Sequence, residues 1–358
     1  MKKAKKNSIV SFLLSEEHKT IPISELFSIL TAKNIKYKPL LSKFPLVRIK
    51  VGENPVMVCK VVTKRASMLK LVIQELLFLE TFSLNDFDEA LRKLDLSFLQ
   101  NKSFYVRIIK KGKNDRVQLK SAEIEAFAGA RILQKTSSKV RFKTPDYILF
   151  GILCDNAFSF GILLKELKRG IFLKRSPRKR PFFMSSALDV YTARAMVNLA
   201  GIPSGSILDP FAGTCGILIE AGMMGYDIIG IDVKNYISKG CLRNLVEYIR
   251  SEKSMGIIQG DALKLPLRDN SIEAIVTDPP YGRSSTTLGR SIADIYSQFL
   301  PEAKRILKTG GKLVMLYPYR LSSHIEEKIK RLFRVEEKHL IRVHKNLLRV
   351  LVVAGKEV

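Results

Sequence analysis

Cysteine and histidine are scarce in this 358-residue chain. The four cysteines (Cys59, Cys154, Cys215, Cys241) are widely scattered and form no Cys-x-x-Cys pair, so neither a zinc site nor a disulfide framework is expected. The four histidines (His18, His324, His339, His344) make no ligand set, and no metal cofactor is expected. Long apolar runs are missing as well. The longest, Tyr147–Leu164, is broken by Asp155, Asn156 and Ser159 and reads as two strands and a turn rather than a membrane span. Ser11–Thr20 lacks the apolar core of a signal peptide behind the basic stretch Met1–Lys6. A cytoplasmic protein is the expectation.

Acidic residues are also in short supply. The chain has 34 Asp and Glu against 61 Lys and Arg, a net charge of +27, which calls for a polyanionic partner, either nucleic acid or an anionic membrane surface. Residues 1–180 hold 37 basic and 16 acidic side chains, and residues 181–358 hold 24 and 18. The first half is therefore the part suited to gripping phosphates, with Arg107 and Lys110 as candidates. Between Lys165 and Pro181 the charge is nearly all of one sign, among Gly170, Pro177 and Pro181. This stretch reads as a basic linker, and Lys174, Arg175, Arg178, Lys179 and Arg180 are its candidate RNA contacts.

An apolar share of 46% is enough for packed cores, and the length allows two or three domains. Up to about residue 165 the pattern is α+β: Val56–Thr63 and Ser103–Lys110 read as strands, Ser121–Gln134 as a helix, and Lys139–Lys143, Tyr147–Leu153 and Ala157–Leu164 as strands. From Phe182 onward, helices and strands alternate strictly and close with the hairpin Val335–Val343 and Leu347–Ala354. Such alternation calls for a parallel, doubly wound α/β sheet with antiparallel strands at one edge.

Ligands of doubly wound sheets bind beyond the carboxyl ends of the strands. Three acidic residues end consecutive strands there. Asp209 opens Asp209-Pro210-Phe211-Ala212-Gly213-Thr214-Cys215-Gly216, a small-residue loop that lets backbone approach a ligand. The loop lacks the G-x-G-x-x-G run of a pyrophosphate site, and its acidic first residue suits a cationic ligand, such as the ammonium and sulfonium of S-adenosylmethionine. Asp232 follows 23 residues later, close to the spacing at which a carboxylate meets ribose hydroxyls. Asp261-Ala262 ends the third strand, where Asp261 is placed to accept from an adenine amino group.

The strand Ile272–Thr277 then runs into Asp278-Pro279-Pro280-Tyr281-Gly282. Two prolines hold the backbone extended and offer carbonyls without competing N–H groups. Asp278 and the Pro279 carbonyl can thus accept from both hydrogens of an exocyclic amine, fixing a weakly nucleophilic nitrogen and aiming it at a methyl donor. Tyr281 supplies an aromatic face for an extruded base.

These elements, with Arg180-Pro181-Phe182-Phe183-Met184-Ser185-Ser186-Ala187-Leu188, resemble the archaeal tRNA guanine-10 N2-methyltransferases from about Ser103 to the end. Phe104-Tyr105-Val106-Arg107 and Thr144-Pro145-Asp146-Tyr147 look like elements of their THUMP domain. The resemblance implies a ferredoxin-like N-terminal region over residues 1–70, a THUMP RNA-binding domain over 71–165, a linker over 166–184 and a Rossmann-like class I methyltransferase domain over 185–358. It places S-adenosylmethionine on Asp209, Phe211, Ala212, Gly213, Thr214, Asp232, Asp261 and Ala262, and guanine on Asp278, Pro279 and Tyr281. tRNA is the implied partner, with its guanine flipped outward, and some members also use a small zinc-binding activator protein.

Two departures stand out. Cys215 replaces a usual glycine, making positive φ harder to adopt, and Met184 replaces a common histidine. The rival readings are a THUMP enzyme acting on another guanine in tRNA or ribosomal RNA, a DNA amino-methyltransferase, and a non-catalytic RNA-binding protein on a decayed fold. Asp rather than Asn at 278 and the run Gly282–Thr287 favour guanine 10 over the first. The basic first half speaks against the second, and the intact Asp232, Asp278 and Tyr281 against the third.

Overall fold

The computed structural model describes residues 8–249, 255–281, 289–344 and 347–357, in two compact units. One takes in described residues up to 23, then 34–64 and 68–168; the other takes in 24–33, 65–67 and 169 onward.

The chain begins with β1 (Ser8–Leu14), α1 (Ile21–Ala32), β2 (Tyr37–Pro39), β3 (Leu46–Val51), α2 (Pro55–Arg65) and β4 (Leu69–Leu79). It continues with α3 (Leu84–Lys93), β5 (Ser103–Lys111), α4 (Ser121–Lys135), β6 (Lys139–Val140), β7 (Tyr147–Cys154) and β8 (Ala157–Glu166). Among the described residues these strands form one sheet in the order β2-β3-β1-β4-β8-β7-β5-β6. The expected boundary at residue 70 falls inside β4, which pairs with β1 on one side and β8 on the other, so the sheet runs unbroken across it. The core between α3, α4 and the sheet is aromatic, with Phe87 making edge contacts to Phe158 and Phe160.

Val56–Thr63, expected as a strand, is instead the body of α2. Asn54 Oδ1 accepts the Val56 N–H at 2.8 Å, Pro55 opens the helix, and Val58 and Val62 are fully buried while Val56 faces solvent. The i, i+4 burial outweighs the β preference of four valines.

The second unit is built from α5 (Val190–Leu199), β9 (Ser206–Asp209), α6 (Gly216–Met223), β10 (Asp227–Asp232), α7 (Asn235–Tyr248) and β11 (Met255–Gln259). Then follow β12 (Ile272–Thr277), α8 (Ile292–Ile306), β13 (Leu307–Pro318), α9 (Ser322–Leu332), β14 (Arg334–His344) and β15 (Leu347–Gly355). The expected hairpin turn at Lys345 and Asn346 lies outside the described residues. Strand order is β11-β10-β9-β12-β13-β15-β14, parallel except where β15 pairs antiparallel with β13 and β14. The order reverses between β9 and β12, which makes the carboxyl edge of those two strands the natural ligand crevice. Tyr296, Phe299 and Leu300 of α8 pack on this sheet, fully buried.

Two sequence expectations change here. Residues 169–175 and 177–179 form tight 3₁₀ turns within the second unit, with Phe172, Arg175 and Arg180 buried, rather than an open linker. Cys215 and Cys241, expected to be unpaired, are joined as a disulfide with their α-carbons 5.1 Å apart. Packing of α7 beside α6 brings them together across 26 residues of sequence, a proximity no short spacing could signal.

Candidate active site

The three acidic strand ends and the Asp-Pro-Pro-Tyr segment line one cavity of about 300 Å³ at the β9/β12 switch point. Every residue expected to hold the cofactor borders it: Asp209, Phe211, Ala212, Gly213, Thr214, Asp232, Asp261 and Ala262. Asp278, Pro279 and Tyr281 border it too, as does Met184. Gly282 and the residues up to 287 lie outside the described residues.

Asp209 is 2% exposed at the end of β9. Its Oδ1 accepts from Thr277 Oγ1 at 2.7 Å and from the Phe211 N–H at 3.1 Å. Burial outweighs these bonds, and with Asp278 and Asp232 nearby the carboxyl is pushed up to about 7. Asp232 is anchored at both oxygens: Oδ1 accepts the Lys234 N–H at 3.0 Å and Oδ2 the Gly213 N–H at 3.2 Å. The loop turns left-handed at Gly213 and again at Cys215, which adopts φ +60° despite its β-carbon. Asp261, expected to meet adenine, has Oδ1 on the Leu263 N–H and Oδ2 in an ion pair with Arg290 at 2.8 Å.

Asp278 is held from two sides. The Tyr281 hydroxyl donates to its Oδ1, and Arg349 Nη1 lies 3.6 Å from its Oδ2. Burial raises the Asp278 pKa above the usual carboxylate range, and Arg349 draws it back down. The Arg349 guanidinium also stands over the Tyr281 ring, 4.4 Å from its centroid, so one face of the expected stacking platform is already covered.

Arg349 went unrecognised in the sequence, although a signal was present. It is a charged residue inside the apolar strand Leu347–Gly355, with its side chain only 14% exposed. Thr277 and Arg290 were missed as well.

The expected RNA contacts divide. Lys174, Arg178 and Lys179 are exposed, and Arg107 is half-exposed, 3.6 Å from Glu166. Lys110 donates to the Val117 and Leu119 carbonyls. Arg175 and Arg180 are corrections. Arg175 is 8% exposed and forks onto fully buried Glu220, with Nη2 2.8 Å from Oε2, and Arg180 is 5% exposed beneath Thr214. Their charge serves the interior of the fold rather than its surface.

Comparison with known proteins fits this geometry. Residues 177–350 match the RMKL-like methyltransferase domain. A tRNA (guanine(10)-N2)-dimethyltransferase of Methanothermobacter thermautotrophicus is 34% identical over 95% of this chain and 97% of its own length. The chain belongs to the tRNA (guanine(10)-N2)-dimethyltransferase family. A tRNA (guanine(10)-N2)-dimethyltransferase of Methanocaldococcus jannaschii is 29% identical over 97% of this chain and all of its own. Among solved structures, SMU.472 in complex with SAH shares the fold, with a TM-score of 0.54, 13% identity, and coverage of 99% of this chain and 100% of that one.

Proposed function

We propose that this chain is an S-adenosylmethionine-dependent methyltransferase acting on the exocyclic N2 amine of guanine 10 in tRNA. The observation that carries the reading is the meeting of Asp278 and Tyr281 with the Asp209, Asp232 and Asp261 strand ends around one cavity. The lining suits the cofactor: acidic groups await its cationic and hydroxyl-bearing parts. When bound, S-adenosylmethionine supplies an electrophilic methyl group.

The protein's own part is positioning. Asp278 accepts from one N–H of the amine and the Pro279 carbonyl from the other, which holds the nitrogen's lone pair toward the cofactor crevice. Arg349 opposes the upward push of burial on the Asp278 pKa, and the Tyr281 hydroxyl fixes its orientation. In its ionised form Asp278 can also take the proton that the amine sheds on transfer.

Residues 71–165, within the first unit, are the proposed THUMP RNA-binding module, supported by the excess of basic side chains over residues 1–180. Among the described residues no helix is long and apolar enough to cross a membrane, and we place the enzyme in the cytoplasm with its tRNA.

The deciding experiment is mass spectrometry of tRNA transcript after incubation with enzyme and cofactor, with and without a small zinc-binding activator protein. Methyl on guanine 10 is expected, and the same spectra count one methyl or two. Methyl at another guanine, or none under either condition, would overturn the assignment.

A further inference from the structure

We propose that Phe142 and Tyr105 form a stacking platform for an unpaired RNA nucleotide, flanked by the cations Lys102, Lys139, Arg141 and Lys143. The assignment rests on the RNA-binding reading of residues 71–165. It adds contact with a base to a grip that charge alone would give only to phosphates.

Phe142 is 77% exposed, more than any other large apolar side chain among the described residues. A single apolar residue at the surface is ordinary. The setting of this one is not. Its backbone is fixed on both sides. β6 runs parallel to β5, with the Lys139 N–H on the Lys102 carbonyl and the Arg141 N–H on the Phe104 carbonyl, both at 2.9 Å. Beyond Phe142 the chain is tied down again: Asp146 Oδ2 accepts from the Ser103 N–H at 2.8 Å and from the Ser103 hydroxyl at 2.7 Å. A ring held between two such anchors can be stacked upon with little further loss of freedom.

It also has an aromatic neighbour. On β5, Phe104 and Val106 enter the core with α3 and α4, which turns Tyr105 to the opposite face of the sheet. The Tyr105 ring lies 6.1 Å from that of Phe142, at an interplanar angle of 36°. Around the pair, Lys102, Lys139, Arg141 and Lys143 are all exposed, and none makes an ion pair among the described residues. Hydrogen bonds from Ser103, and then the charges of Lys102 and Arg141, hold the Asp146 carboxyl below the usual range, so these two cations converge on the same corner. Free cations beside bare rings are what a single strand of nucleic acid requires, its phosphates on the cations and a base face on the rings. A duplex keeps its base faces stacked inside, and an acidic peptide would satisfy the cations but leave the rings uncovered.

The test uses the full-length chain and a fluorescently labelled oligoadenylate. Anisotropy should show F142A binding it roughly 5- to 100-fold more weakly than wild type, the range for one lost base stack. F142W should keep or tighten binding. On an abasic ribose-phosphate chain of the same length the F142A difference should vanish, because only phosphates remain. F142W gives a direct readout as well, since the sequence contains no tryptophan. Its fluorescence should be quenched by unlabelled oligoadenylate and not by the abasic chain. Equal affinity of wild type and F142A for oligoadenylate would overturn the platform, and so would an F142A loss of equal size on the abasic chain. An F142W signal that responds to polyglutamate and not to oligoadenylate would make the patch a dock for an acidic protein and overturn it too. A wild type that binds neither oligoadenylate nor tRNA would overturn the RNA-binding reading itself, and the platform with it.

Discussion

Arg349 Nη1 lies 3.6 Å from Asp278 Oδ2, joining β15 to the residue proposed to receive the substrate amine. Burial pushes the Asp278 pKa up and Arg349 pulls it down, so loss of the guanidinium lets the carboxyl rise further. At a given pH less of it is then ionised, and the acid limb of the kcat profile moves to higher pH. R349A should lose more activity at pH 6–7 than at pH 9, and R349K should keep most of the wild-type profile. A loss of equal size at every pH would show that Arg349 only supports the fold.

Asp209 carries a second pH dependence. Its pKa in the folded chain is pushed up to about 7 from the ordinary aspartate value of 3.8, so the folded state holds this proton more tightly than the unfolded one. The group therefore costs nothing below about pH 4, and its penalty grows as pH rises towards 7 and then levels off. D209N, which cannot ionise, should gain stability relative to wild type between pH 5 and pH 8 in ligand-free thermal melts. A difference between the two melts that stays constant with pH would contradict this. Cofactor binding has the opposite sign. A cationic ligand favours ionised Asp209, so wild-type affinity for S-adenosylmethionine should rise through pH 7, and that rise should be absent in D209N.

Glu220 is fully buried and accepts from both Arg175 and Arg194. E220A would leave two buried guanidiniums facing each other, a loss of about 3–5 kcal/mol of stability for a broken buried pair. Denaturant unfolding of the full chain checks this, and a shift below about 1 kcal/mol would mean that water replaces the carboxylate. E220Q retains the acceptor oxygen and should fall between E220A and wild type.

The lining of the candidate site was legible because it is written in strand ends. Asp209, Asp232, Asp261 and Asp278 each close an apolar run, and in a parallel sheet such residues gather at one edge whatever the details of packing. What escaped depended on long-range placement. Arg349 reaches Asp278 only because β15 inserts antiparallel beside β13, opposing Pro318 to Arg349, a register that no local pattern encodes. Cys215 and Cys241 meet for a similar reason, through two neighbouring helices. The misread α2 shows the reverse case, a strong local β preference overruled by a proline-opened helix with one buried face. Between Lys174 and Arg180, five basic residues look alike in sequence, and burial alone separates them.

That separation yields a prediction for tRNA binding. Lys174, Arg178 and Lys179 are exposed, whereas Arg175 and Arg180 are enclosed. If the exposed three meet phosphates, replacing them together with serine should weaken tRNA binding at low salt. It should also flatten the slope of log affinity against log salt by about 2–3, the release of roughly one counterion per lost contact. Thermal stability should hardly change, because none of the three side chains is buried. Filter binding across 50–300 mM salt measures the slope. An unaltered slope in a folded triple variant would remove this segment from the RNA-contacting surface and leave the first unit, with Arg107 half-exposed on β5, as the place to look next.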